Sequence, residues 1–242
     1  MGARRAGQGR HDVAKDRRRT QASSATPGPG LRRRFRGALL GWYARHRRDL
    51  PWRRTQDPYR ILVSEVMLQQ TQVDRVIPKY HEFLDRYPTL ETLAAADVGE
   101  VQRVWYPLGY NIRPVHLHGI AREALARYGG RLPDDEEALR RLKGIGRYTA
   151  GAVRAFAYGQ RVPILDTNVR RLLGRVFYGQ DGRRLSSGDL WRLAATLLPR
   201  RRVYDFNQAL MDFGATSCTA RKPLCLPCPM RRFCRAFPWT PS

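Results

Sequence analysis

The chain's only four cysteines lie close together, as Cys218, Cys225, Cys228 and Cys234 in a C-x6-C-x2-C-x5-C run. Four thiolates in so short a stretch are a metal-binding pattern, open to either a [4Fe-4S] cluster or a structural zinc. Zinc sites usually pair two short knuckles, whereas here Cys225 and Cys228 form the single close pair. The spacing therefore favours the iron–sulfur cluster. A disulfide framework would spread its cysteines and follow a secretion signal, but the N-terminus carries arginines and no apolar segment. His116 and His118 are not at a zinc-ligand spacing, so no second metal site is expected.

A second group of residues suggests an anion-handling turn and a charged centre. Leu142-Lys143-Gly144-Ile145-Gly146-Arg147-Tyr148-Thr149-Ala150 joins two helical segments through a tight hairpin. Its glycines let a partner approach the backbone, and the free amides at the next helix start favour a phosphate. Further on, Pro163-Ile164-Leu165-Asp166-Thr167-Asn168 places a carboxylate after an apolar run at a helix start. Asp166 there is an N-cap, and it is also a carboxylate held ready to face a developing cation.

The charge balance points to a polyanionic partner. Lys and Arg number 45 against 21 Asp and Glu, a formal charge of +24, which makes double-stranded DNA the expected partner. Residues 1–34 hold ten Lys/Arg, two Asp and a Ser/Pro/Gly-rich stretch, and are expected to be a disordered basic tail. No apolar run reaches the roughly 18 residues of a membrane span.

The elements that must position these groups are helices. From Phe35 onward apolar residues recur at three-four spacing, as in Tyr59–Gln70, and hardly any stretch alternates with period two. Further helical segments are expected at about 72–86, 89–95, 97–105, 114–128, 134–142, 147–158, 167–178, 187–198 and 205–213, punctuated by glycines and prolines. The fold class is all-α.

In that order, a helix-hairpin-helix, a loop ending in Asp166 and the four-cysteine run resemble the endonuclease III and MutY superfamily of DNA base-excision glycosylases. The resemblance covers about residues 35–237. Ser64-Glu65-Val66-Met67-Leu68-Gln69-Gln70-Thr71-Gln72-Val73, Leu50-Pro51-Trp52-Arg53 and the segment Phe206–Ala215 are similar to the adenine-specific MutY branch. The resemblance implies two helical lobes flanking a DNA-binding cleft. These are a six-helix barrel over 59–163 and an iron–sulfur lobe built from 35–58 and 164–242.

Site roles follow from the same resemblance. Asp166 would stabilise the oxocarbenium-like sugar, Glu65 would contact the flipped base, and Tyr148 would line the pocket. Gln69, Gln70, Tyr110 and Asn168 would contact DNA, Gln69 and Tyr110 as wedges in the duplex, together with the hairpin residues Lys143, Gly144, Gly146, Arg147 and Thr149. Family members that also cut the strand carry a lysine where Tyr148 stands, so the expected enzyme is monofunctional and leaves an abasic site.

Two departures from the adenine branch bear on the base. The chain ends eight residues after Cys234, without the 8-oxoguanine-reading domain of that branch. Tyr106-Pro107-Leu108-Gly109-Tyr110 is closer to the mismatch-specific thymine/uracil glycosylases. The expectation is removal of uracil or thymine opposite guanine, with adenine as the alternative. A non-catalytic iron–sulfur DNA-binding protein is the reading from another class, and the presence of Asp166 argues against it. A monomer in the cytoplasm, associated with the nucleoid, completes the expectation.

Overall fold

The computed structural model describes residues 26–179 and 185–239. Among these, the regular elements are helical, as expected: α1 (Pro29–His46), α2 (Pro58–Met67), α3 (Val73–Arg86), α4 (Leu90–Ala95), α5 (Val98–Trp105), α6 (Ile112–Tyr128), α7 (Glu136–Arg141), α8 (Arg147–Phe156), α9 (Thr167–Tyr178), α10 (Ser187–Leu197) and α11 (Val203–Thr216), with a single 3-10 turn at Pro51–Arg53. No helix of the described residues is long and apolar enough to cross a membrane.

Of the expected tail, residues 1–25 lie outside the described residues. Residues 29–34 are helical instead. Pro29 opens α1 with a pre-set φ, and the buried Phe35, Leu39, Trp42 and Tyr43 anchor the helix.

Two hydrophobic cores form, and the chain crosses between them. Helices α2 to α8 surround the first core, which runs from Leu50 to Ile164. The second joins Phe35, Leu39, Trp42 and Tyr43 of α1 to residues between Leu165 and Met230. Helix α1 packs on α11, and α9 also packs on α11. Leu50 and Trp52, expected with the cluster lobe, belong to the first core, where the Trp52 ring meets Tyr80 edge-on at 5.4 Å.

Helix α2 is the axis of the first core. Asp57 caps it by accepting from the Tyr59 and Arg60 amides, and Pro58 fixes its first residue. Every residue from Tyr59 to Met67 except Arg60 is buried, with α8, α3 and α6 packed around it. A helix apolar on nearly all sides can only be interior, and it carries Glu65 inside with it.

Candidate active site

A cleft of about 860 Å³ opens at the junction of the two cores. Glu65, Gln69, Gln70, Tyr148, Asp166 and Asn168 line it, so six of the expected residues meet there from three separate parts of the chain. Glu65 is 4% exposed, and its Oε2 has no hydrogen-bond partner within the protein. Burial pushes its carboxyl up to about 7, and the Asp166 charge adds to the rise, while Tyr148 and Arg53 oppose it. This side chain can hold or release a proton near neutrality.

Asp166 also lines the cleft, as the N-cap of α9. Its Oδ1 accepts from the Val169 amide at 2.6 Å and its Oδ2 from Asn168 Nδ2 at 3.2 Å. Burial raises its pKa, but these donors and the nearby Arg171 favour the charged form. Arg171 Nη2 in turn donates to Asn168 Oδ1 at 2.8 Å. The cap fixes one carboxylate oxygen and leaves the group facing the cleft, at the positive end of a helix.

Tyr148, the second residue of α8, lines the cleft with both acids. The hydroxyl lies 3.8 Å from Met211 Sδ and close enough to Glu65 to influence its charge. Burial, and then the charges of Glu65 and Asp166, raise the tyrosine pKa well above its ordinary value, so the phenol stays protonated. Among the described residues, no lysine lines the cleft.

The remaining hairpin residues sit outside this cleft. Gly144 has φ +98, and a Cβ there would come within 2.9 Å of His116, so both conformation and packing require glycine. A Cβ at Gly146 would meet nothing within 4 Å; this backbone is open to an incoming partner. Lys143 is exposed. The guanidinium of Arg147 lies over the Trp191 ring at 4.1 Å. Thr149 corrects the expectation: it is buried, because α8 turns that face into the core, and its hydroxyl cannot contact DNA. Only its backbone amide, in the unsatisfied first turn of α8, remains for that purpose.

Tyr110 also lies outside the cleft, on an exposed loop. Its ring is 58% exposed, and both it and Gln70 have left-handed backbones, φ 50 and 55. Beneath the two loops is Arg113, 5% exposed, which sequence reasoning did not single out.

Four further residues were missed. Arg53 donates through Nη1 and Nη2 to the two carboxylate oxygens of Asp212, at 2.8 Å each, and Arg48 Nε reaches Asp212 Oδ1 at 2.7 Å. Burial alone would raise the Asp212 carboxyl, but the two arginines more than offset it and hold it below its ordinary range. Gln208, on the same helix, is buried and lines the cleft. Arg53 and Asp212 fall within the two segments on which the resemblance rests, and that was the signal available for them.

The four cysteines line one small pocket with Leu172 and Phe213. Residues 217–239 have no helix and bury few side chains, Met230 and Ala236 among them, so a cross-link suits the segment. Arg175 Nη1 lies 3.6 Å from Cys218 Sγ, and the Met230 amide donates to Cys228 Sγ at 3.4 Å. Both are groups that favour thiolate ligands. Burial pushes the Cys228 thiol up to about 11 and raises Cys218 and Cys234, so a metal's charge is needed to form the thiolates at neutral pH. Among the described residues, no three possible ligands are placed to hold a single ion. The cysteines offer sulfur alone, the donor type of a [4Fe-4S] cluster and of a four-sulfur zinc site alike.

Comparison with known proteins places this architecture. The profile of the HhH-GPD superfamily base excision DNA repair proteins matches residues 63–193. The chain is 46% identical over 213 residues to the adenine DNA glycosylase of Homo sapiens, covering 84% of this chain but 39% of that protein. It thus spans well under half the length of that relative. It is 38% identical to the thymine/uracil-DNA glycosylase of Pyrobaculum aerophilum, over 81% of this chain and 88% of that one. The solved structure of a thermostable thymine-DNA glycosylase superposes with a TM-score of 0.82 at 35% identity, covering 86% of this chain and 97% of the other. A match of this extent in sequence and in fold assigns the chain to the HhH-GPD superfamily of base excision DNA repair proteins.

Proposed function

We propose that the protein is a monofunctional DNA glycosylase that flips a mispaired base into the cleft and hydrolyses its N-glycosidic bond. Asp166 faces the sugar as the C1′–N bond breaks and the electron pair leaves with the base. Water adds to C1′ and gives up its proton, and the product is an abasic site. With tyrosine at position 148 and no lysine in the cleft among the described residues, no amine is placed to attack the sugar. Gln69 and Tyr110 are the wedges, and the amides of Arg147, Tyr148 and Thr149 bind a backbone phosphate. A [4Fe-4S] cluster on Cys218, Cys225, Cys228 and Cys234 ties residues 217–239 together as a structural group.

The observation that carries the reading of the base is Glu65. A purine departs readily only when protonated, and a buried carboxyl with a pKa of about 7 and one unpartnered oxygen is suited to supply that proton. This favours adenine, as does the 46% identity to an adenine DNA glycosylase. Pyrimidine removal, the expectation from the sequence, keeps the support of the Pro107-Leu108-Gly109 loop and of the thymine-DNA glycosylase likeness. Uracil or thymine leaves as an anion, and Glu65 would then hold the base edge.

The test is cleavage of labelled duplexes carrying A·G, A·8-oxoguanine, U·G and T·G, with and without alkali. Alkali-dependent cutting of the adenine duplexes supports the purine reading. Cutting of U·G or T·G alone overturns it, and cutting without alkali overturns the monofunctional assignment.

A further inference from the structure

Arg113 occupies an unusual place beneath the two loops that carry Gln69 and Tyr110. Its Nη1 donates to the carbonyls of Val66 and Met67 at 3.0 Å and of Gln69 at 2.5 Å. Its Nη2 donates to Thr71 Oγ1 at 3.2 Å and to the carbonyls of Leu108 and Gly109 at 3.1 Å. The guanidinium also lies 5.3 Å from the Trp105 ring centre and 5.2 Å from that of Tyr110. One nitrogen therefore serves the end of α2 and the loop after it, and the other serves both loops.

Neither loop is held this way by its own sequence. Gln70 and Tyr110 keep left-handed backbones, a strained conformation for such residues that persists only where the surroundings enforce it. Between the loops, the two terminal nitrogens of one arginine reach five carbonyls and a hydroxyl through shared hydrogen bonds, from a fixed fork that a lysine lacks. The guanidinium cannot follow one loop without lengthening its bonds to the other.

We propose that Arg113 is a positioning residue that couples the Gln69 and Tyr110 wedges into a single device for base extrusion. This rests on the wedge roles proposed above. Pressure of the duplex on Tyr110 is transmitted through the guanidinium plane to the Gln69 carbonyl, so that the two side chains enter the helix together or not at all.

A double-mutant cycle tests the coupling. Extrusion is read as 2-aminopurine fluorescence beside a 2′-fluorinated target nucleotide, which resists hydrolysis, for the original chain, Gln69→Ala, Tyr110→Ala and both together. With coupling, the double variant loses less than the product of the two single losses, by about fivefold or more, in the range typical of contacting residues. In an Arg113→Lys background the losses should multiply. Single variants that each reduce extrusion and combine as a simple product in the original chain overturn the coupling while leaving the wedges intact. Single variants that leave extrusion unchanged overturn the wedge roles themselves. A simple product of losses in the original chain overturns the coupling even where Arg113→Lys does not fold.

Discussion

Arg53 and Asp212 are 159 residues apart in the chain and meet through two parallel hydrogen bonds of 2.8 Å. The pair joins the 3-10 turn that enters the first core to the last helix of the second. Asp212 is completely buried, and Arg48 is its second guanidinium partner, with Nη2 at 2.6 Å. Asp212→Asn would leave Arg53 buried and uncompensated, which costs about 3–5 kcal/mol. Chemical denaturation should show that loss, and a loss under 1 kcal/mol would mean that the pair behaves like a surface contact.

Glu65 gives the protein a pH dependence of definite sign. Its folded pKa is raised from 4.5 to about 7, so the folded state holds a proton that the unfolded state releases. The stability this provides is complete below about 4.5 and is lost as pH rises to about 7. The shift corresponds to roughly 3 kcal/mol. Asp166 is raised as well by burial and acts with the same sign. Melting temperature should fall between pH 5 and 8 in the original chain, and Glu65→Gln should remove most of that slope. An unchanged slope would place the titration elsewhere.

Asp166 has two separable duties. As an N-cap it can be replaced by asparagine, which caps equally well, but a neutral amide cannot stabilise a cationic sugar. Asp166→Asn should therefore keep its melting temperature and duplex affinity while turnover falls by about 10²-fold or more. If duplex binding disappears with activity, the residue is a structural cap and nothing more.

Removing the cysteine-bound group should weaken architecture more than chemistry. Iron chelation, or Cys228→Ser, should abolish the visible absorption expected of the proposed cluster, lower the melting temperature and weaken DNA binding, because metal binding to such a segment is folding energy. A protein with all four cysteines replaced that folds and binds DNA normally would remove the cluster from the account.

Local signals made the helices legible. Asp57, Thr89, Asp97, Asp135, Asp166 and Ser186 each accept a hydrogen bond from the helix they precede, and such caps are visible in a sequence. The hairpin glycines and the cysteine spacing were legible for the same reason. The depth of Glu65 was not: α2 is buried on nearly every side, so its periodicity points to no one face. Thr149 was misjudged because proximity to a hairpin says nothing about which way a side chain turns. Arg113 joins the nearby Leu108 and Gly109 to partners 42 or more residues away, and Asp212 meets arginines more than 150 residues away; a single sequence does not record such pairings.

The division into two cores also sets an order of events during synthesis. Every buried residue of the first core lies between Leu50 and Ile164, a continuous stretch that can collapse as soon as it leaves the ribosome. The apolar face of α1 cannot, because its partners begin at Leu165. At about 5–20 residues per second, Phe35 and Trp42 wait on the order of ten seconds for helices not yet made. The first helix described is thus among the last to find its place.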